Sequence, residues 1–375
     1  MRIALAVDRF DPQAGGLEQW TVSLARHLLE RGHAVHVVAF AEANHALPVT
    51  MRLVAPGGGI MHRAARLGAA LAGVRADVVH DTGSSWAGDV FQPQAGSRLL
   101  SQARLVATEP PGRRLRAMLS PVSIRQRWEM ARLERRQLRA ARRIIVVSRL
   151  VRAQLCARYG VAPAATVLIP NGVDTARFTA ARLAPLRATA RAALGVGQRV
   201  LFLASAHNMR LKGVDTALRA MAPLVASGAA LHLAVAGTPA DAGWQALVAR
   251  LGLGGHVTFL GPVAAMEPLF AAADAMVHAT RWDAGSLSTI EAGAAGLPVI
   301  TTAMNGAAEL IADGQTGFVL PDPEDAAALG ARMRMLLDPV LRARMGEAAR
   351  AASVAHDLRD NLAAVEAELV AAARR

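Results

Sequence analysis

Short apolar runs alternate with amphipathic helical stretches along the chain, a pattern that restricts it to parallel sheets covered by helices on both faces. The pattern occurs twice. In the first half IALAV, AVHVVAF, MRLVA, DVVHD and RIIVVS read as strands, with a helix from about Leu17 to Arg31 stopped by Gly32. In the second half the strands are RVLFLAS, LHLAVAG, HVTFLG, DAMVHAT, PVITT and GFVL, and Glu324 to Arg375 reads as helical throughout. At 375 residues the chain is long enough for two such cores, because single cores stop growing near about 250–300 residues. In VLIPNGVDTARF, Pro170, Asn171 and Gly172 break the strand between the halves. The expected architecture is α/β, with two doubly wound Rossmann-like domains facing across a cleft: an N-terminal domain over 1–175, a C-terminal domain over 176–355, and a last helix over 356–375 packing back on the first.

Composition excludes several classes. Apolar residues make up 53% of the chain, but no run approaches the ~18 residues that span a bilayer. MRIALAVDRF is too short for a signal-peptide core and suits a buried strand, so a cytoplasmic protein is expected. The single cysteine, Cys156, leaves no internal disulfide and no Cys-rich metal site. The formal charge of +13 comes almost entirely from arginine, and Lys212 is the one lysine. Such a charge calls for an anionic partner: nucleic acid, a membrane surface or a phosphorylated substrate.

The densest chemistry lies in the second half. In AHNMRLKGVDTALRAM, Arg210 and Lys212 precede a helix that begins near Gly213. Two cations at a helix N-terminus, whose amides are themselves partly positive, suit a diphosphate. Further on, RWDAGSLSTIEAGAAGLPVITT carries Asp283 in a loop, Gly285, Ser286 and Leu287 at a helix start, and Glu291 within that helix. Small residues let a phosphate approach the amides, and a carboxylate can accept two hydrogen bonds from a ribose diol.

NMRLKGVD, the spacing of Asp283 and Glu291, EAGAAGLPVI, IPNGVDTARF and the glycine loop of DPQAGGLEQW together resemble glycosyltransferase family 4. These are retaining enzymes of the GT-B fold, and the likeness is strongest to lipopolysaccharide core glucosyltransferases. The resemblance implies that Arg210 and Lys212 neutralise the departing nucleotide diphosphate, a task other glycosyltransferases give to a metal held by Asp-x-Asp. No Asp-x-Asp occurs here, so no metal and no cofactor beyond the nucleotide-sugar co-substrate, a UDP-sugar, is expected. It further implies that Glu291 holds the ribose, the amides of Ser286 and Leu287 the phosphate, and Asp283 the transferred sugar. The family has Glu at that last position, and Asp is one methylene shorter. Val263 to Met266 fall where the base pocket would be.

The first domain is expected to supply the acceptor side. Gly15 and Gly16 would allow close approach to the donor, or form an ordinary turn. In HDTGSSWAGDVFQPQAGSR, which carries His80, Asp81, Asp89 and Gln94, Asp89 is taken as the cleft residue, with helix capping as its alternative. Gln94 stands where a histidine is common. From Arg98 to Arg143 there are 13 arginines against Glu109, Glu129 and Glu134. The helix there, with Trp128, Met130 and Leu133 among the cations, suits an anionic membrane face, peripheral on the inner leaflet, or else a solvated helix whose stripe packs on its own domain. Nucleic acid is disfavoured, since aromatics are 4% of the chain and no recognised module occurs. The reading is a retaining hexosyltransferase moving a sugar from a donor such as UDP-glucose to a glycolipid or lipopolysaccharide-core hydroxyl. A nucleotide-sugar epimerase of the same fold and a non-catalytic sugar-binding protein are the alternatives.

Overall fold

The computed structural model describes residues 1–43 and 45–373. The chain divides into two compact units, Met1–Pro170 joined by the chain from Arg359 onward, and Asn171–Leu358. The first division falls ahead of residue 175 because Val173 pairs with Asp357 inside the second unit: the Val173 amide donates to His356 O at 3.0 Å, and the Leu358 amide to Val173 O at 2.9 Å.

In the first unit the strands are β1 (Arg2–Phe10), β2 (Ala34–Glu42), β3 (Thr50–Leu53), β4 (Val78–Asp81), β5 (Val90–Phe91), β6 (Arg143–Val146) and β7 (Thr166–Leu168). They form one sheet in the order β3-β2-β1-β4-β5-β6-β7, every pair parallel. Ile3 to Val7 are buried in a continuous run, as a strand covered on both faces requires. The helices are α1 (Gly16–Glu30), α2 (Ile60–Ala72), α3 (Arg98–Ala107), α4 (Pro111–Leu119), α5 (Pro121–Ala140) and α6 (Arg149–Tyr159). Trp20, Leu24, Ala25 and Leu28 repeat at helical spacing and bury the inner face of α1.

The stripe that α5 buries is not the one that the solvated-helix alternative puts against its own domain. Of Trp128, Met130 and Leu133 only Leu133 is in the core, and Trp128 is 58% exposed. The other buried positions are Glu129, Glu134 and Gln137. Each has partners: Glu134 accepts from the Ser97 hydroxyl at 2.8 Å, the Leu99 amide at 3.1 Å and the Tyr159 hydroxyl, and Gln137 donates to Ser85 O at 2.6 Å. A buried polar stripe is tolerated because its groups are satisfied.

The second unit holds β8 (Val200–Ala206), β9 (Leu231–Gly237), β10 (Val257–Gly261), β11 (Ala275–His278), β12 (Val299–Thr302) and β13 (Gly317–Leu320) in the order β10-β9-β8-β11-β12-β13, all parallel. Its helices are α7 (Ala180–Ala193), α8 (Val214–Ala226), α9 (Ala242–Arg250), α10 (Glu267–Ala272), α11 (Leu287–Ala294), α12 (Ala326–Met335) and α13 (Pro339–Ser353). A last helix, α14 (Leu358–Ala373), belongs to the first unit. The stretch expected to be one helix from Glu324 is therefore three. Asp338 caps α13, accepting from the Val340 amide at 2.9 Å with Pro339 at the first helical position, and α14 starts after Asp357. Arg374 and Arg375 lie outside the described residues.

Candidate functional site

From β8 the second sheet grows outward to β9 and β10, then crosses to β11 on the other side of β8. Loops after the carboxyl ends of β8 and β11 thus adjoin at a topological switch point, where open α/β sheets bind ligands. These loops are residues 207–213 and 279–286.

Backbone bonds tie the two loops together. Leu211 O accepts from the Arg281 amide at 2.8 Å and the Thr280 hydroxyl at 3.1 Å. The Arg281 guanidinium grips Asp215 with two bonds of 2.8 and 3.0 Å and also donates to Arg210 O. Gly213, the N-cap of α8, has φ 68°, and a Cβ there would stand 1.8 Å from Ala279 O. Only glycine lets the loops approach this closely.

This framework holds a charged triad. Lys212 Nζ lies 2.5 Å from Asp283 Oδ2, and His278 Nε2 lies 3.3 Å from the same oxygen. Burial would raise the Asp283 carboxyl, but the Lys212 ammonium and His278 hold it well below the usual carboxylate range. Burial also lowers His278, despite its bond to Asp283, so the imidazole is neutral near pH 7 and donates through Nε2. The sequence pointed to Lys212 and Asp283 as separate groups; the structure makes them an ion pair and adds His278, whose place in the apolar run DAMVHAT gave no signal.

Glu291 sits on α11, half-buried, and burial pushes its carboxyl up to about 7. Arg177 opposes that rise and Glu267 adds to it. Arg177 and Glu267 pair with each other at 2.6 Å. Ser286 caps α11, its Oγ accepting from the Thr289 amide at 3.3 Å. Its own amide donates to Asn305 Oδ1 at 3.3 Å, so of the two amides expected to face a phosphate, that of Ser286 turns into the protein. Leu287, the first helical residue, keeps an amide that the helix does not satisfy. The Gly285 amide points to Asp283 Oδ1 at 3.2 Å. Buried Asn305 anchors this turn through Thr289 and Thr301, at 3.1 Å each, and was not anticipated.

In the first unit Gly15 and Gly16 follow β1. Gly15 is extended at φ 167°, a conformation open to any residue. Asp89 is not a ligand-side residue. It precedes β5, at the amino end of a parallel sheet, where it accepts from the Val79 amide at 2.9 Å and pairs with Arg142 at 3.3 Å. At the carboxyl end stands Asp81, buried, accepting from the amides of Gly83 at 2.8 Å and Ser84 at 2.7 Å. Burial pushes it up to about 6 against those bonds. Buried His80 hydrogen-bonds Gln92 at 2.9 Å, and Gln94 lies just beyond β5. Among the described residues, no three His, Cys, Asp or Glu converge as metal ligands.

Two family profiles tile the chain: Glycosyltransferase Family 4 matches residues 14–177, and Glycosyl transferases group 1 matches residues 187–352. The chain belongs to glycosyltransferase family 4. Its two parallel Rossmann-like sheets are those of the GT-B fold. The crystal structure of WaaG, a glycosyltransferase involved in lipopolysaccharide biosynthesis, superposes with a TM-score of 0.81 at 25% identity over 98% of this chain and 99% of that one. Among curated relatives, a D-inositol 3-phosphate glycosyltransferase of Streptomyces avermitilis is 34% identical over 223 residues, 56% of this chain and 47% of that protein. The lipopolysaccharide glucosyltransferase WaaG of Escherichia coli is 31% identical over 205 residues, 53% of this chain and 54% of its own length. The chain thus spans about half the length of these curated relatives.

Proposed function

We propose that the protein is a retaining hexosyltransferase that moves a sugar from a UDP-sugar, UDP-glucose or a close analogue, to a hydroxyl of a glycolipid or lipopolysaccharide core. The observation that carries this reading is the Lys212–Asp283 pair, held beside Arg210 at the switch point of the second sheet and ahead of the α8 N-terminus. The glucosyltransferase named among the relatives supports the donor and acceptor classes.

In this reading the donor diphosphate draws Lys212 toward itself, and Arg210 joins it in neutralising the charge that builds on the leaving group. Asp283, released from part of its pairing and still held by His278, accepts from a hydroxyl of the sugar. Glu291 takes the ribose diol, and the Leu287 amide faces a phosphate. No divalent metal is required. The acceptor reaches the enzyme at the inner face of a membrane, where α4 presents Arg113, Arg114 and Arg116 with exposed Leu115, Met118 and Leu119.

The test is turnover of UDP-sugars by purified protein, with and without lipid acceptor. Lys212→Ala and Arg210→Ala should each lower turnover roughly a hundredfold, the scale of losing one preorganised charge from a transition state. Activity should survive EDTA. Unchanged turnover in both folded variants refutes the diphosphate assignment, and loss on chelation restored by magnesium or manganese refutes the metal-free mechanism.

A further inference from the structure

We propose that a recess between α2 and α5 binds the phosphate of a phosphorylated sugar, and that this phosphomonoester belongs to the acceptor. The inference rests on the transferase reading for the word acceptor. The recess itself is a feature of the first unit alone.

The recess measures about 440 Å³, within the size of pockets that hold small ligands. It opens on the ligand side of the first sheet. Gly59 to His62 come from the segment after β3, and Trp86 from the loop after β4, both beyond carboxyl ends of strands. The remaining wall is α5, where positions 125, 129, 132 and 136 share one face at helical spacing.

Charge and shape in the recess fit a phosphate. Glu129 is its acid, and it is already satisfied, accepting from Arg125 Nε at 2.9 Å and from the Ile60 amide at 3.0 Å. Arg125 and Glu129 thus cancel. Arg132 and Arg136 do not. Among the described residues neither has a carboxylate partner; each instead lies over an indole, Arg132 over Trp128 at 5.1 Å and Arg136 over Trp86 at 4.7 Å. A contact with a ring spends none of the N–H groups on an acceptor oxygen, which leaves them for a planar, two-pronged bond to phosphate oxygens. It also fixes the side chains beforehand, which lowers the entropy lost when an anion binds. His62, exposed at the rim, adds an imidazole, and the two indoles complete the lining of the recess.

A lipid surface would use these residues differently. The exposed apolar side chains that could enter a bilayer, Leu115, Met118, Leu119, Val122 and Ile124, lie on α4 and the first turn of α5, ahead of the recess in the chain. Arg132 and Arg136 stand beyond them, against rings.

The experiment is a calorimetric titration of the full chain at low salt with glucose 6-phosphate, glucose and inorganic phosphate, on wild type and on an Arg132→Gln/Arg136→Gln variant. Both side chains are exposed, so the variant should fold. UDP binding serves as the control for the second unit. Glucose 6-phosphate should bind wild type, inorganic phosphate more weakly, and glucose not detectably. The double variant should lose at least about tenfold in affinity for both phosphates, the scale of a lost hydrogen bond to a charged group, while its UDP affinity stays unchanged. Transfer to glycolipid acceptors with and without a phosphomonoester then separates a lipid-borne ligand from a free sugar phosphate, since only the former predicts that acceptor phosphate raises turnover. Absence of saturable binding by either phosphate, or equal binding by the double variant, overturns the proposal. So does binding of phosphatidylglycerol vesicles through Arg132 and Arg136 without binding of the soluble phosphates. If UDP fails to bind wild type, it is the donor reading that falls.

Discussion

Lys212, Asp283 and His278 form a unit in which one carboxylate oxygen serves two partners, and the proposed contact with a donor hydroxyl needs the ammonium to turn away first. Glu291 has the opposite problem. Its carboxyl, pushed up to about 7, is largely protonated below neutrality, and the proposed ribose contact needs it ionised to accept both hydrogens of the diol. The kcat/KM for the donor should therefore rise as pH climbs through about 7 and level off above it, and Glu291→Gln should flatten that limb as well as lower it. A wild-type profile flat across this range would remove the carboxylate from donor binding. The same shift bears on stability with a definite sign. A carboxyl raised on folding favours the native state when protonated, so its contribution is greatest below 4.5 and declines as pH rises toward about 7. Lys212 was legible in the sequence because no other lysine survives, and Glu291 because small residues surround it. His278 and Asn305 were not legible, since a buried hydrogen bond to a loop depends on where two distant segments meet.

Between elements, the tightest demand is the N-cap of α8. A Gly213→Ala variant meets the ~1–2 kcal/mol cost of a left-handed backbone and a carbonyl oxygen 1.8 Å from its new Cβ, so the 207–213 loop must shift. Thermal unfolding should show a lowered midpoint, and donor turnover should fall with it because Lys212 is carried on the same loop. An unchanged midpoint would mean that the close approach to Ala279 is not as drawn. Most strands of both sheets were legible as apolar runs, but β5 at two residues is too short to carry a pattern, and it forms only because its neighbours supply partners. Missing β5 also misplaced Asp89: with no strand after it, nothing marked that residue as lying at the amino end. The break before α13 is written in Asp338-Pro339, a cap followed by a proline at the first helical position, but the amphipathic pattern continues across it and masks it.

For the whole molecule, the charge of +13 gathers where α3, α4 and α5 succeed one another, and a membrane role for it makes a separable prediction. Replacing Arg113, Arg114 and Arg116 with Ser should reduce sedimentation with anionic vesicles, wild-type binding should weaken with salt, and donor hydrolysis should persist in the variant. Wild type that ignores anionic vesicles at low salt would leave the segment a solvated surface. The path of the chain has a further consequence. Helix α14 supplies Asn361, which accepts from Trp20 Nε1 at 2.8 Å and donates to Pro170 O at 2.6 Å, and Glu366, which meets His27 at 2.8 Å and His33 at 2.9 Å. Trp20 and Pro170 thus wait for a residue made some 190 to 340 positions later, the sequence separations of these bonds. On the ribosome the second unit, continuous from Asn171 to Leu358, can close on itself while α1 still lacks the partner of Trp20, so the half translated first is the half completed last.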